Sequence, residues 1–288
     1  MRNLFKELKK NRGAFISLII IASLLFIAIL ADILALHSPY TIYENASQLK
    51  PQFSAYQLNN QNQYFFLGTD DLGRDLMSRI MHGARVSLMV GFTVVFISAS
   101  IGTFLGAIAG YFGGLIDRII MRLTDIIMSI PSILFAIVIV AVIGQGIKNA
   151  IFAVSFVAIP NFIRIVRAQV LVEKNKQYVY AAQLFGAHHW RIIFKEILPN
   201  CMAPIIVQCT LGFSDGILNC AALGFLGLGA EAPIPEWGVM LSDARSFIES
   251  SPYMVTLPGF FIFLSVISFN LLGDGLRDAL DPKMKKSH

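Results

Sequence analysis

The fold of this chain is constrained most by its long apolar runs. Residues 86–116 contain no charged side chain, and residues 13–31 form a second uncharged run. About 20 apolar residues in a helix, at about 1.5 Å each, cross a hydrocarbon core of about 30 Å. Hydrophobic residues make up 56% of the chain and charged residues 14%, whereas about a quarter of the residues in a soluble domain are charged. The chain is therefore predicted to be an all-α membrane protein.

Six transmembrane helices are predicted. The first, at 13–31, is longer than the apolar region of a cleaved signal peptide, which spans about 7–15 residues, and it ends before Asp32 rather than at a small-residue cleavage site. Pro131 is expected to kink the third helix, because proline removes a backbone donor. The other five helices are expected within residues 86–116, 118–143, 147–171, 204–225 and 254–273.

The distribution of lysine and arginine predicts that both termini are cytoplasmic. With that orientation, 17 of the 23 basic residues lie in cytoplasmic segments, as the positive-inside rule requires. Arg164 and Arg167 are expected to extend along helix 4 to the inner membrane surface. The net charge of +5 is attributed to membrane orientation, so no nucleic-acid partner is expected.

A polar segment at about residues 172–200 joins helices 4 and 5 on the cytoplasmic side of this topology. It predicts two short helices on the membrane surface. Small residues at helical spacing in the first would let another protein approach its backbone closely; these are Ala181, Ala182 and Gly186. The second, at 190–198, is amphipathic and is expected to end at Pro199. Its apolar side is formed by Ile193, Phe194 and Ile197.

The spacing of Ala181-Ala182, Gly186 and Leu198-Pro199 resembles the "EAA" loop of ABC importer permeases. Tyr180 stands where that family often has Glu, and Glu196 where it often has Ile. The resemblance implies that the loop docks into a cleft of a separate ATPase subunit. The coupling residues that it marks are Ala181, Ala182, Gly186, Ala187, Leu198 and Pro199. A pair of surface amphipathic helices with no such partner is the alternative.

Residues 67–75, followed by Ser78 and Arg79, resemble the "GTDxxGRDxxSR" signature of the peptide and nickel branch of these permeases. Thr69 or Asp70 is expected to cap a short helix. The charged residues of this motif are expected at interfacial depth, with a solvated charged turn as the alternative; they are Arg74, Asp75 and Arg79.

Residues 233–238 and 242–243 also resemble this branch, and they predict an outer loop with Trp237 at the membrane interface. That loop either faces a solute-binding protein or serves only in packing. The chain divides into an N-terminal segment, 1–67, with helix 1 and an outer loop, and a permease core, 68–288.

The resemblance covers nearly the whole chain, and the chain looks most like the C-type permeases of dipeptide importers. It implies a type I ABC importer permease fold and a subunit that moves di- or oligopeptides into the cytoplasm by alternating access. Importers of nickel, antimicrobial peptides or haem are the alternatives. The implied partners are a homologous B-type permease, two cytoplasmic ATPase subunits and an extracytoplasmic solute-binding protein, in the lipids of the bacterial inner membrane.

No nucleotide site is predicted in this chain. Residues 223–230 are rich in glycine but are not followed by Lys-Ser or Lys-Thr, and no Walker A pattern occurs in the sequence. ATP and magnesium are therefore expected on the ATPase subunits, and no cofactor is expected here. Cys201, Cys209 and Cys220 have no His or acidic residue at ligand spacing, so they are predicted to pack rather than to bind metal.

Two further patterns lie within the predicted helices. Gly102, Gly106 and Gly110 recur every fourth residue and predict a closely packed helix partner, in this chain or in a second subunit. Asp215 and Asn219 share one helix face near the middle of the bilayer. An acid there predicts a site on the substrate path, and a hydrogen-bonded tie between helices is the alternative.

Two other classes of membrane protein would require residues different from those of a permease. A membrane protease needs a reactive serine with histidine, paired aspartates or a His-Glu-x-x-His helix at membrane depth, and the sequence has none of these, so no catalytic residue is predicted. An ion-coupled carrier is expected to have several ionisable groups at the midplane and repeated halves. Only Asp215 lies plainly at the midplane, so this class is disfavoured.

Overall fold

A computed structural model describes residues 11–58 and 61–280. The basic residues at 2–10 and 283–286, which contribute to the predicted orientation, lie outside the described residues. Helices in chain order are α1 (Arg12–Ile29), α2 (Ala31–Leu34), α3 (Leu76–Phe112), α4 (Gly114–Met128), α5 (Ser132–Ile143), α6 (Ile147–Glu173), α7 (Gln177–Leu184), α8 (His189–Arg191), α9 (Met202–Phe225), α10 (Trp237–Ala244) and α11 (Tyr253–Leu280). Strands β1 (Tyr56–Leu58) and β2 (Gln61–Gln63) pair antiparallel.

Five helical stretches in the described part are long and apolar enough to cross a membrane. These are α1, α3, α6, the continuous stretch from α8 through α9, and α11. A sixth crossing results only if α4 and α5 count as one, and the two are bent by 92°. The prediction of a single kinked helix at 118–143 is therefore wrong, because two separate helices form there. Pro131 restricts the residue before it to extended conformations and cannot donate to a helix, which explains the break between Met128 and Ser132.

Helix α3 begins at Leu76, well before the predicted run at 86–116. Its N-cap is Asp75, whose carboxylate accepts a hydrogen bond from the backbone N–H of Ser78 at 3.1 Å. The expectation that Thr69 or Asp70 caps a helix is therefore wrong. Thr69 accepts instead from the backbone N–H of Leu49 at 2.8 Å. The signature motif thus ties residues 35–67, which we call the outer segment after their predicted side of the membrane, to the start of α3.

The glycine stripe of α3 packs against α6 of the same chain. A Cβ atom on Gly106 would lie 2.8 Å from the backbone oxygen of Ile163 and 2.9 Å from Cβ of Val166. One on Gly110 would lie 3.0 Å from the backbone oxygen of Arg167. The predicted close partner is therefore confirmed and lies within this chain, and the two backbones touch along the C-terminal halves of both helices.

Arg164 and Arg167 end on α4. Arg164 Nη2 lies 2.6 Å from Asp125 Oδ1, and Arg167 Nη2 lies 2.6 Å from Asp117 Oδ2. Both arginines are thus held by carboxylates of α4, while their position at the inner membrane surface stays a prediction. Thr124 is the one buried side chain of α4, so ion pairs make up much of its attachment to α6.

The charged motif after residue 67 is buried. Asp70 Oδ2 lies 2.6 Å from Arg74 Nε and 3.3 Å from Arg79 Nε. The side chains of Arg74 and Arg79 are only 6% and 2% exposed. The solvated turn is therefore wrong, because Asp70 pairs with two buried guanidinium groups and Asp243 Oδ2 lies 4.0 Å from one of them, that of Arg74. The interfacial depth of these residues stays a prediction.

Trp237 is fully buried, so its predicted place at the membrane interface is wrong. Its ring packs on Gly83 of α3, where a Cβ atom would lie 2.9 Å from the indole, and its Nε1 donates to the backbone oxygen of Ile80 at 3.2 Å. Glu236 caps α10 by accepting from the N–H groups of Gly238 and Val239, each at 2.9 Å. Burial raises the pKa of Glu236.

We expect Gly106→Ala to destabilise the bundle by about 1–3 kcal/mol, since the added methyl group meets backbone atoms that cannot move independently. Gly259→Ala is the matched control, because a Cβ there would find only Leu241 at 3.8 Å. Thermal unfolding of the detergent-solubilised proteins measures the difference. Equal melting temperatures for the two variants would contradict the packing described.

We expect Asp70→Ala to destabilise the protein by about 3–5 kcal/mol, because it removes the carboxylate nearest to two buried guanidinium groups. Asp32→Ala serves as the control. It also removes a carboxylate paired with an arginine, Arg85 at 2.9 Å, but Asp32 is 69% exposed. Surface pairs contribute little, so the control should unfold at the wild-type temperature, and a loss as large as that of Asp70→Ala would refute the role of burial.

Candidate functional site

The segment between α6 and α9 is anchored by an apolar inner face. Val179 of α7 is fully buried. It packs in one cluster with Val166 and Val170 of α6 and Ala107 of α3. The following segment contributes five more buried residues to the same cluster, namely Ile192, Ile193, Ile197, Leu198 and Cys201. The segment is thus seated on the α3–α6 pair at its closest approach.

The second predicted surface helix differs from expectation in form and in orientation. After the three residues of α8, the backbone forms a π-helix at Ile192–Ile197 and a 3₁₀ turn at Leu198–Cys201 that leads directly into α9. Pro199 therefore does not end a helix. Phe194 was expected on the buried side, but it is 48% exposed and stacks on Trp190. The wider π-helical turn brings two adjacent residues, Ile192 and Ile193, to the buried side.

Polar contacts fix the start of this segment. The Glu173 carboxylate lies 2.5 Å from Lys176 Nζ and accepts a hydrogen bond from the Tyr178 hydroxyl at 2.6 Å. Asn200 Nδ2 donates to the same hydroxyl at 3.3 Å. Burial, followed by the neighbouring carboxylate, raises the pKa of Tyr178 to about 12. The phenol therefore stays protonated and joins the two ends of the loop.

Aromatic and polar contacts fix the second half of the loop to α3. The Tyr111 hydroxyl lies 2.9 Å from His189 Nδ1. Trp190 stacks on Phe104 with ring centroids 6.2 Å apart and planes within 2°. Lys174 Nζ also donates to the backbone oxygen of Gly110 at 2.8 Å. A displacement of this segment is therefore coupled mechanically to α3.

The six predicted coupling residues do not form one exposed surface. Ala181, Gly186 and Pro199 are exposed, whereas Ala182 and Ala187 are half-buried and pack on the inner cluster. Leu198 is only 8% exposed. The six thus divide between residues available to a partner and residues that seat the loop on the bundle.

Gly186 is required by backbone conformation. Its φ is +74° and a Cβ atom there would have nothing within 4 Å. A side chain at this position is strained although space is open. Gly186 therefore sets the turn after α7 rather than a close contact within the chain.

Leu184 and Phe185 are the most prominent apolar side chains of this segment. They are 88% and 91% exposed. Neither was identified from the sequence, because a Leu-Phe pair in so apolar a chain does not stand out from core residues. The sequence feature that could have identified them is their position, since both stand directly before Gly186, which turns the chain.

Asp215 and Asn219 lie together on α9 and line one cavity between α5, α6 and α9. The structure adds Asn161 of α6 and Gln208 of α9 to the same wall. These amides were not singled out from sequence, because single Asn and Gln residues in apolar helices have no motif spacing. Cys201 and Cys220 are buried, as predicted for packing residues.

Comparison with known protein families identifies the class of this chain. Residues 102–286 match the model described as the inner membrane component of binding-protein-dependent transport systems. Residues 1–62 match that of the N-terminal transmembrane domain of oligopeptide transport permease C. The chain belongs to the family of inner membrane components of binding-protein-dependent transport systems.

Similar curated proteins are dipeptide transport system permease proteins DppC. That of Alkalihalophilus pseudofirmus is 51% identical over 99% of this chain and 90% of its own length. That of Escherichia coli K12 is 50% identical over 96% of this chain and 91% of its own length. The glutathione transport system permease protein GsiD of Pectobacterium atrosepticum is 48% identical over 76% of this chain and 73% of its own length.

A solved structure supports the fold. An inward-facing form of the MetNI methionine ABC transporter aligns with a TM-score of 0.57 at 22% identity, covering 72% of this chain and 98% of the other. The predicted type I ABC importer permease fold is confirmed. The ion-coupled carrier and the membrane protease are not retained, because the relatives are permease proteins of transport systems. The cytoplasmic placement of the termini stays a prediction.

Proposed function

We propose that this chain is the membrane-spanning subunit of an ATP-driven importer that moves dipeptides or short peptides into the cytoplasm by alternating access. The observation that carries the proposal is identity of 45–51% with dipeptide and di/tripeptide permeases over 96–100% of the chain. Such similarity extends through every helix, including those that line the central cavity. The chain itself moves substrate and does not hydrolyse ATP.

Glutathione is the second candidate substrate. The glutathione permeases are 46–48% identical, but over 76–81% of this chain rather than nearly all of it. The dipeptide relatives also match the segment outside the shared region, which supports short peptides as the primary substrates. Nickel, antimicrobial peptides and haem have no such support and remain alternatives only from the sequence signature.

The proposed assembly contains a homologous B-type permease, two ATPase subunits and a solute-binding protein, in the bacterial inner membrane. The loop end of the bundle, residues 174–200, faces the cytoplasm and the ATPases. The opposite end, which carries residues 35–75 and 226–252, faces the binding protein. Support for this orientation comes from the basic residues around the loop and from the family description, which names a binding protein.

Leu184, Phe185 and Ala181 form the proposed ATPase contact. The two large side chains project almost fully from α7, and exposed apolar anchors of this kind dominate binding when they enter a partner's pocket. The half-buried Ala182 and Ala187 and the buried Leu198 transmit the movement to α3 and α6. Docking and transmission are therefore assigned to different residues of one loop.

We expect Leu184→Ser and Phe185→Ser each to weaken co-purification of the ATPase subunits by about tenfold, since interface anchors are typically worth more than about 1–2 kcal/mol. The permease itself should keep its melting temperature, because neither side chain is packed within the chain. Phe53→Ser is the matched control: Phe53 is 88% exposed but lies in the outer segment, so ATPase binding should not change. Unchanged binding in both loop variants would refute the contact.

We expect proteoliposomes that contain the complete assembly to accumulate a labelled dipeptide when ATP is supplied on the ATPase side. Accumulation should stop when a non-hydrolysable ATP analogue replaces ATP, and excess unlabelled dipeptide should compete better than glutathione. Uptake by this chain without ATPase subunits, driven by an ion gradient, would refute the proposed function. Stronger competition by glutathione would favour the second candidate.

A further inference from the structure

A polar cavity lies between α5, α6 and α9, about midway along α6 and α9, and opens to the surface of the isolated chain. Its volume is about 190 Å³, far above the roughly 10–15 Å³ that a single water needs. Its polar lining comes from three helices and consists of Ser132, Asn161, Gln208, Asp215 and Asn219. A cavity of this size with several polar partners holds water rather than lipid tails.

Asp215 stands near the middle of α9, and its carboxylate has no partner within residues 11–58 and 61–280. Two other helical aspartates, Asp117 and Asp125 of α4, pair with the arginines of α6. The alternative predicted from the sequence is that Asp215 ties two helices together by a hydrogen bond. Such a bond requires a donor on a neighbouring helix, and no donor in the described part of the chain reaches this carboxylate. An unpaired acid at bilayer depth marks an ion or substrate path.

Asn219, one turn from Asp215, adds a second acceptor. Its Nδ2 donates to the backbone oxygen of Asp215 at 2.8 Å. This bond uses one of the two N–H donors within the helix, so the carbonyl oxygen of Asn219 remains free as an acceptor, together with the second N–H. The same face of α9 thus offers a carboxylate and an amide oxygen, both acceptors.

We infer that Asp215 and Asn219 bind the terminal ammonium group of a peptide during its passage, a step that rests on the proposed function. An ammonium group has three donors and no acceptor, which matches a carboxylate, an amide oxygen and the further side-chain oxygens of Asn161 and Gln208. Asp215 is exposed at the surface of the isolated chain, so a peptide between this subunit and its partner can reach it. A bound metal ion fits less well, since no cluster of three His, Cys, Asp or Glu residues occurs in the described part.

The test uses the complete transporter in proteoliposomes with a neutral dipeptide, such as Ala-Ala. Asp215→Asn should lower the maximal uptake rate about tenfold, as expected for loss of a charge-assisted hydrogen bond, without changing the affinity of the binding protein for the peptide. The double variant Asp215→Asn with Asn219→Asp returns the negative charge to the same cavity one turn away. It should recover most of the rate, which a purely structural role for Asp215 would not allow.

Cysteine labelling gives an independent readout. With Cys201, Cys209 and Cys220 replaced by serine, Asp215→Cys should react with a cationic methanethiosulfonate reagent, and transported dipeptide should slow the reaction. Leu218→Cys is the control, because Leu218 is also exposed on α9 but does not line the cavity; dipeptide should not affect its labelling.

The inference and the proposed function fail in different ways. If the wild-type transporter takes up dipeptide and Asp215→Asn does so equally fast, the inference is overturned and the function stands. If the wild-type transporter takes up no peptide, the proposed function fails. Loss of uptake in Asp215→Asn without rescue by the double variant, together with no protection of Asp215→Cys by dipeptide, would also overturn the ammonium site.

Discussion

The close packing of α3 on α6 is the contact on which the rest of the structure depends. Three glycines of α3 remove the side chains that would separate the two backbones, and lipid gives no hydrophobic drive that could replace this contact. The inner face of residues 174–200 sits on the cluster formed where these helices meet. The opposite end of α3 holds the buried Asp70 cluster and Trp237. One helix pair therefore connects the loop end of the bundle to the outer segment.

Two kinds of polar site serve different purposes along this pair. At the outer end, Asp70 and its arginines satisfy one another and are excluded from water; such a group holds a structure. In the central cavity, Asp215 and its neighbouring amides leave hydrogen-bond acceptors free. Such a group is available to a ligand. Burial and pairing, rather than charge alone, separate these roles.

The sequence predicted the features that depend on hydrophobicity and on the periodic spacing of residues. It failed where contacts with neighbouring side chains determine the position of a residue. The apolar runs and the glycine period were sufficient for the helices and for a close partner, but the identity of that partner depends on the three-dimensional path of the chain. Trp237 was misplaced because tryptophan commonly lies at interfaces, while here Gly83 opens a buried slot for it. Phe194 was assigned to the wrong side because an α-helical period was applied to a π-helix. The exposed Leu184 and Phe185 could not be distinguished from core residues.

The 92° bend between α4 and α5 separates two helices that are attached to the bundle in different ways. Residues 129–131 connect the two helices. Two ion pairs join α4 to α6, an exposed pair between Arg164 and Asp125 and a half-buried, bidentate pair between Arg167 and Asp117. Apolar burial holds α5 in the bundle, as Ala136 and Val140 show. The bend therefore separates a helix that is held by apolar burial from a helix that is held largely by charged contacts, so ionic strength acts on one side of it and hydrophobic burial on the other.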